Sequence, residues 1–160
     1  MMKEQLPPIR IGANDFHLLK LAAVRAMEDS NPVCGFLVSE LERAEMVESV
    51  EPLRCVRLDH WVTFRADDGR LLESRIPVLP ENFRSSHLHV SILSPLGAAL
   101  IGVPVGSRMP YLGIDGVSHV LTVESLEPPL GVISLQQHRA MRSVLRTDDN
   151  EPGPRGPTAA

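Results

Sequence analysis

The chain has 160 residues, with 16 Lys+Arg against 20 Asp+Glu, a formal net charge of -4, and 43% hydrophobic and 22% charged residues. This supports one ordinary domain with a packed core rather than a disordered chain, and the acidic balance speaks against coating duplex nucleic acid, whose phosphates need a basic surface. Cys34 and Cys55 are too few for a disulfide framework or a four-thiolate zinc site, and without a signal-peptide run or the roughly 20 apolar residues of a spanning helix a cytoplasmic protein is expected.

Residues 1–13 contain prolines, lack periodicity and read as a leader. A helix then starts near Asn14, with Asn14 or Asp15 placed to cap its free N–H groups. Phe16, Leu18, Leu19, Ala22, Ala23 and Met27 follow near helical spacing. Asp29-Ser30-Asn31-Pro32 ends it, because the residue before Pro is driven out of the helical region. A second helix is predicted from Val33 to Met46. Val33, Leu37, Leu41 and Ala44 form its apolar stripe, and Glu40, Glu42, Arg43 and Glu45 are assigned to the wet side. Together they predict an antiparallel helical hairpin, a short coiled coil, over residues 14–50. Leu19, Ala22 and Ala23 would face Val33, Leu37 and Leu41. About 14 residues per arm is about 21 Å of helix.

From Val56 the period changes to two. Strands are expected from Val56 to Phe64, Arg70 to Val78, His87 to Ile92, Val105 to Leu112 and Ser118 to Leu126. Asp67-Asp68-Gly69 signals a hairpin turn, with Gly69 taking the positive φ, and Asp115-Gly116 joins the last two strands. Pro77 and Pro80 imply an edge or an ending. Between the third and fourth strands Ser94 is a cap and Pro95 a first helical residue, opening a very short helix that Gly102 stops. Residues 51–127 therefore read as an antiparallel sheet with one short helix, and the whole as an α+β fold. Residues 128–160 read as a C-terminal extension: a helix over Ser134 to Arg146, then a Pro/Gly-rich disordered tail.

Few constellations carry chemistry. His87 and His89 would share one strand face, yet no third ligand is evident beside them, so they read as surface histidines. No Gly-x-Gly-x-x-Gly run, Walker-type lysine or Gly-x-Ser-x-Gly elbow occurs. Cys34 opens an amphipathic helix and reads as a packing residue. Glu28 and Asp29 lie at the predicted hairpin tip, where paired acids can hold Mg²⁺ or simply sit solvated in a turn; the turn is the preferred reading. Metal, cofactor and catalytic residues are accordingly assigned to none.

The segment from Ser94 to Gly106, SPLGAALIGVPVG, resembles the signature of the C-terminal domain of the bacterial Gre transcript-cleavage factors. With Leu37-Val38-Ser39-Glu40-Leu41-Glu42-Arg43-Ala44-Glu45 before it, the chain resembles more specifically the regulator of nucleoside diphosphate kinase family, over about residues 14 to 127. The resemblance implies an FKBP-like sheet domain over 51–127. It also implies docking, as a monomer, on the RNA polymerase core at the secondary-channel rim, through Leu93, Ser94 and Pro95. Glu28, Asp29, Glu40 and Glu42 would be electrostatic contacts to a basic partner surface. The short hairpin implies a non-catalytic regulator that competes with Gre-type elongation factors. The alternatives are an FKBP-type peptidyl-prolyl isomerase or a direct regulator of nucleoside diphosphate kinase. One Trp, one Tyr and four Phe are few for an isomerase pocket.

Overall fold

The computed structural model describes residues 5–129; the predicted helix over Ser134 to Arg146 and the tail lie outside them. The elements in chain order are β1 (Arg10–Gly12), α1 (Ala13–Glu28), α2 (Cys34–Arg43), β2 (Glu45–Val47), β3 (Val62–Ala66), β4 (Leu72–Val78), β5 (His89–Ser91), α3 (Pro95–Leu100), β6 (Arg108–Leu112) and β7 (Ser118–Ser125). β1 and β2 pair in parallel as a two-stranded sheet. The other strands form a five-stranded sheet in the order β5-β4-β3-β7-β6. The architecture is α+β, as read from the sequence. The sheet, however, is mixed rather than antiparallel, because β4 and β5 run parallel.

Within the stretch that reads as a leader, residues 9–11 belong to the core. Ile9 and Ile11 are 1% and 3% exposed. They flank Arg10, whose N–H donates to the Gly102 carbonyl at 3.1 Å. Three residues are too short for periodicity to register, which is why this strand is silent in the sequence. Gly102 has φ +79, and a Cβ there would meet Ile9 Cβ at 3.0 Å. It both ends the α3 segment and admits β1.

α1 begins at Ala13, behind Gly12, with no side-chain cap. Asp15 is not a cap: its Oδ2 accepts the Leu58 N–H at 3.1 Å, tying the helix to the loop before β3. α2 ends at Arg43, not Met46, and Met46 lies in β2 opposite Ile11. At ten residues α2 is about 15 Å long. The predicted seam is buried: Leu19, Ala22, Ala23, Val33, Leu37 and Leu41 all join the cluster that contains Val62, Phe64, Ala98, Met109, Leu121 and Val123. Helices and sheet thus share one core.

The strand expected from Val56, β3, starts at Val62, later than predicted. Residues 56–61 instead follow the α3 exit, with Val56 N–H on the Val103 carbonyl at 3.0 Å, and then turn at Asp59, whose N–H reaches the Pro77 carbonyl at 2.8 Å. Pro77 is not on an edge strand. It pairs with Val90 of β5 on one side, and β3 pairs β4 only over Leu72 to Arg75, so no ladder donor is missing on the other side. In the β3–β4 turn the positive φ angles belong to Asp67 and Asp68, 51° and 55°, and not to Gly69. Asp tolerates that region better than most side-chain-bearing residues.

Candidate docking surface

The loop Leu93-Ser94-Pro95 connects β5 to α3 and is fixed from below. Ser94 caps α3: its Oγ accepts the Gly97 N–H at 3.1 Å and donates to the Ser91 carbonyl at 2.6 Å. That carbonyl also receives the Ser94 N–H at 3.0 Å, while Ser91 Oγ accepts the Leu93 N–H at 3.2 Å. Pro95 occupies the first helical position, where a missing N–H costs nothing. Beneath it Gly97 is pressed against β5. A Cβ there would lie 1.9 Å from the Ser91 carbonyl oxygen, so only Gly fits. Ala98, Ala99 and Leu100 are 0% exposed and anchor the helix in the core. The Ser94 hydroxyl is engaged internally as donor and acceptor, which leaves Leu93 and Pro95 as the presented surface.

Apolar hollows lie on both sides of this loop. Pro95 borders a cavity of about 480 Å³, walled on one side by Pro32, Val33 and Phe36 and on the other by Pro110 to Ile114 and Ser118. Of its lining residues, Leu112 and Ile114 are 65% and 83% exposed. Leu93 borders a smaller hollow of about 240 Å³, with Leu18, Leu21, Arg25, Asp29, Leu79 and Glu81 among its lining. Contiguous apolar surface of this kind, rimmed by polar groups, is characteristic of interaction sites. Burial, with the nearby Asp67 and Glu73 carboxylates, pushes the Tyr111 phenol up.

The candidate residues do not all converge. Leu93, Ser94 and Pro95 are one loop, and Asp29 shares the Leu93 hollow, with exposed Glu28 beside it at the end of α1. Glu42 is exposed on a separate groove between α1 and α2, lined by Phe16, Lys20, Val24, Met27 and Val38. Glu40 is a correction. It is 4% exposed, and both its oxygens are held by Arg43, Nε at 2.9 Å and Nη2 at 2.7 Å. Arg43 Nη1 donates onward to the Pro7 carbonyl, so the pair stitches α2 to the segment ahead of β1 instead of facing a partner. A helical wheel places Glu40 outside only if nothing covers that face, and here Arg43 and the chain at Pro7 close over it.

His87 and His89 do not share a strand face, since His87 lies in the turn before β5; His89 Nδ1 accepts the Arg84 N–H at 3.0 Å. Among the described residues no three His, Cys, Asp or Glu side chains gather as a metal site. Cys34 and Cys55 are buried and free. Cys34 Sγ lies 3.6 Å from the Ala23 carbonyl, and burial pushes the Cys55 thiol up. Phe36, Tyr111, Leu112 and Ile114 went unnoticed in the sequence. The signal available was apolar Ile114 beside the Asp115-Gly116 turn, where polar residues are usual.

This arrangement, a capped one-turn helix under a mixed sheet with two helices packed alongside, is that of a Gre-type α+β protein. A prokaryotic transcription elongation factor GreA/GreB from Nitrosomonas europaea has a similar structure, with 26% sequence identity, a TM-score of 0.59, and coverage of 73% of this chain and 97% of that one. No family model matches the chain. The regulator of nucleoside diphosphate kinase from Escherichia coli (strain K12) is 33% identical over 97 residues, 60% of this chain and 71% of the relative, and the protein of the same description from Shigella flexneri matches to the same extent. The chain belongs to the regulator of nucleoside diphosphate kinase family. Among the described residues no helix is long and apolar enough to cross a membrane.

Proposed function

We propose that this protein is a non-catalytic transcription regulator that docks on bacterial RNA polymerase near the rim of the secondary channel and competes there with Gre-type factors. The observation that carries the reading is the Leu93–Pro95 loop. It stands where the Gre resemblance puts docking, it is rigidly capped, and apolar hollows flank it. In this reading α1 and α2 take the place of the Gre helical hairpin, and the five-stranded sheet is FKBP-like. Leu93 and Pro95 supply the desolvated contact, while Glu28, Asp29 and Glu42 steer approach to a basic partner surface. An α2 of about 15 Å, packed into the core, does not reach into a deep channel. Pure protein added to backtracked complexes should therefore leave RNA length unchanged.

The test is affinity for core RNA polymerase, with and without a competing Gre factor. Saturable binding that the Gre factor displaces supports the proposal, and no binding sinks it. A second reading, direct control of nucleoside diphosphate kinase, is favoured by the description of the Escherichia coli relative; a pull-down that recovers the kinase without polymerase subunits would select it. A prolyl isomerase would need an aromatic-lined apolar pocket; among the described residues the 480 Å³ cavity has two aromatic lining residues, Phe36 and Tyr111, so docking is preferred.

A further inference from the structure

Three elements bring polar side chains together behind the Pro95 cavity. Asp67, in the β3–β4 turn, accepts the Val120 N–H on Oδ1 at 3.0 Å and lies 2.8 Å from His119 Nδ1 through Oδ2. His119, on β7, stacks on Tyr111 of β6, with ring centroids 5.4 Å apart at 26°. Its Nε2 lies 4.0 Å from Asp115 Oδ1 in the β6–β7 turn. Gly113 makes this approach possible: a Cβ there would sit 2.6 Å from Asp115 Oδ1 and 3.1 Å from His119 Nε2. Tyr111, Gly113 and Ile114 are at the same time the wall of the cavity.

The hydrogen-bond chemistry fixes the tautomer. A carboxylate only accepts, so Nδ1 carries the hydrogen toward Asp67. In the neutral ring Nε2 is then a bare acceptor facing a second acceptor, Asp115. A proton added at Nε2 turns that contact into an ion pair. We infer that His119 is a proton-controlled clamp: protonation draws Asp115 onto the ring, closes the β6–β7 tip over Gly113, and fixes Leu112 and Ile114 in the form that receives the partner. The groups facing the ring are Asp67 from the β3–β4 turn, Asp115 from its own turn and the Tyr111 phenol from β6. Asp68 is held by Arg108 at 2.8 and 2.9 Å, and Glu73 acts on Tyr111. The hydrogen bond from His119, ahead of that from Val120, holds the Asp67 carboxyl below its usual range. Asp67 thus stays ionised where histidines ordinarily titrate. Only the consequence for a partner rests on the docking reading; the clamp belongs to the free protein.

The experiment measures ¹⁵N heteronuclear NOEs at Ile114, Asp115 and Gly116 in the full chain, at about pH 8 and about pH 5, the span over which imidazoles as a class change charge. The tip should stiffen on acidification in the wild type. It should not in His119→Gln or in Asp115→Asn, the latter keeping the acceptor for the Val117 N–H. A tip that ignores pH in the wild type, or responds equally in Asp115→Asn, overturns the clamp. Polymerase affinity, measured beside it, should rise up to about fivefold on acidification, the scale of one exposed ion pair, and be flat in Asp115→Asn. A stiffening tip with unchanged affinity would overturn the placing of this wall in the interface while the clamp stands.

Discussion

Replacing Gly97 by Ala brings the added methyl group nearer to other atoms than at any other described glycine, and should be strongly destabilising. The new Cβ would stand 1.9 Å from the Ser91 carbonyl oxygen and 2.6 Å from its carbon, where ordinary contact begins at 3.4 Å, so α3 and β5 must part by about 1.5 Å. Both obstructing atoms are backbone, and no rotamer relieves them. Overpacking of this kind costs about 1–3 kcal/mol. The displaced carbonyl is also the one that Ser94 grips, so weakening the cap adds about 1 kcal/mol. A loss of about 2–4 kcal/mol is expected, a large share of the roughly 5–15 kcal/mol of a typical domain. Urea unfolding followed by the fluorescence of Trp61, the single tryptophan, measures it. Gly35→Ala is the control: it lies in α2 with nothing within 4 Å of the added Cβ, and should gain up to about 1 kcal/mol from helix propensity. If Gly97→Ala fell within about 0.5 kcal/mol of wild type, α3 would not be packed as described.

Glu40→Ala should cost about 2–3 kcal/mol in the same assay, below the ~3–5 kcal/mol for breaking a wholly buried pair because the Arg43 side chain is 25% exposed. Glu42→Ala, on the exposed side of α2, should stay within about 0.5 kcal/mol. Asp15 has its carboxyl raised, first by desolvation, against the lowering bond from Leu58 N–H. A carboxyl whose folded value lies above the unfolded one takes up its proton more readily when folded. Its charge therefore weighs against the fold at neutral pH and is relieved as pH falls through the raised value. Asp15→Asn keeps an acceptor for Leu58 and should raise the urea midpoint at about pH 7, with the advantage vanishing near the unfolded value of about 3.9. An equal difference at both pH values would assign it to packing instead of charge.

What the sequence disclosed was local. The start of α3 was legible to the residue, and its end to within one, because Ser94, Pro95 and Gly102 each carry a backbone requirement within nine positions. The helical seam was legible because Leu19, Ala22, Leu37 and Leu41 recur at the helical period. The rest depends on contacts remote in sequence. Nothing near Glu40 announces that Arg43 will be drawn to Pro7, 36 residues away, and so nothing announced its burial. Asp15 looked like a cap because Leu58, its partner, is 43 residues off. The Pro95 cavity is assembled from α2, α3 and the β6–β7 end, so its wall residues acquire meaning only once those pieces meet. The parallel pairing of β4 with β5 is likewise set by the path from Val78 to His89, which no two-residue alternation encodes.

Direct competition for core RNA polymerase tests the central proposal best. Labelled wild-type protein should bind saturably and be displaced by an unlabelled Gre factor. Pro95→Glu, which places a charge at the apolar contact while a first-turn acid suits the helix dipole, should bind at least about tenfold more weakly, the loss of ~1.4 kcal/mol or more that marks a contact at the centre of an interface, with an unchanged circular dichroism spectrum. Undiminished affinity of a folded Pro95→Glu variant, or binding that a saturating Gre factor fails to displace, would contradict docking through this loop.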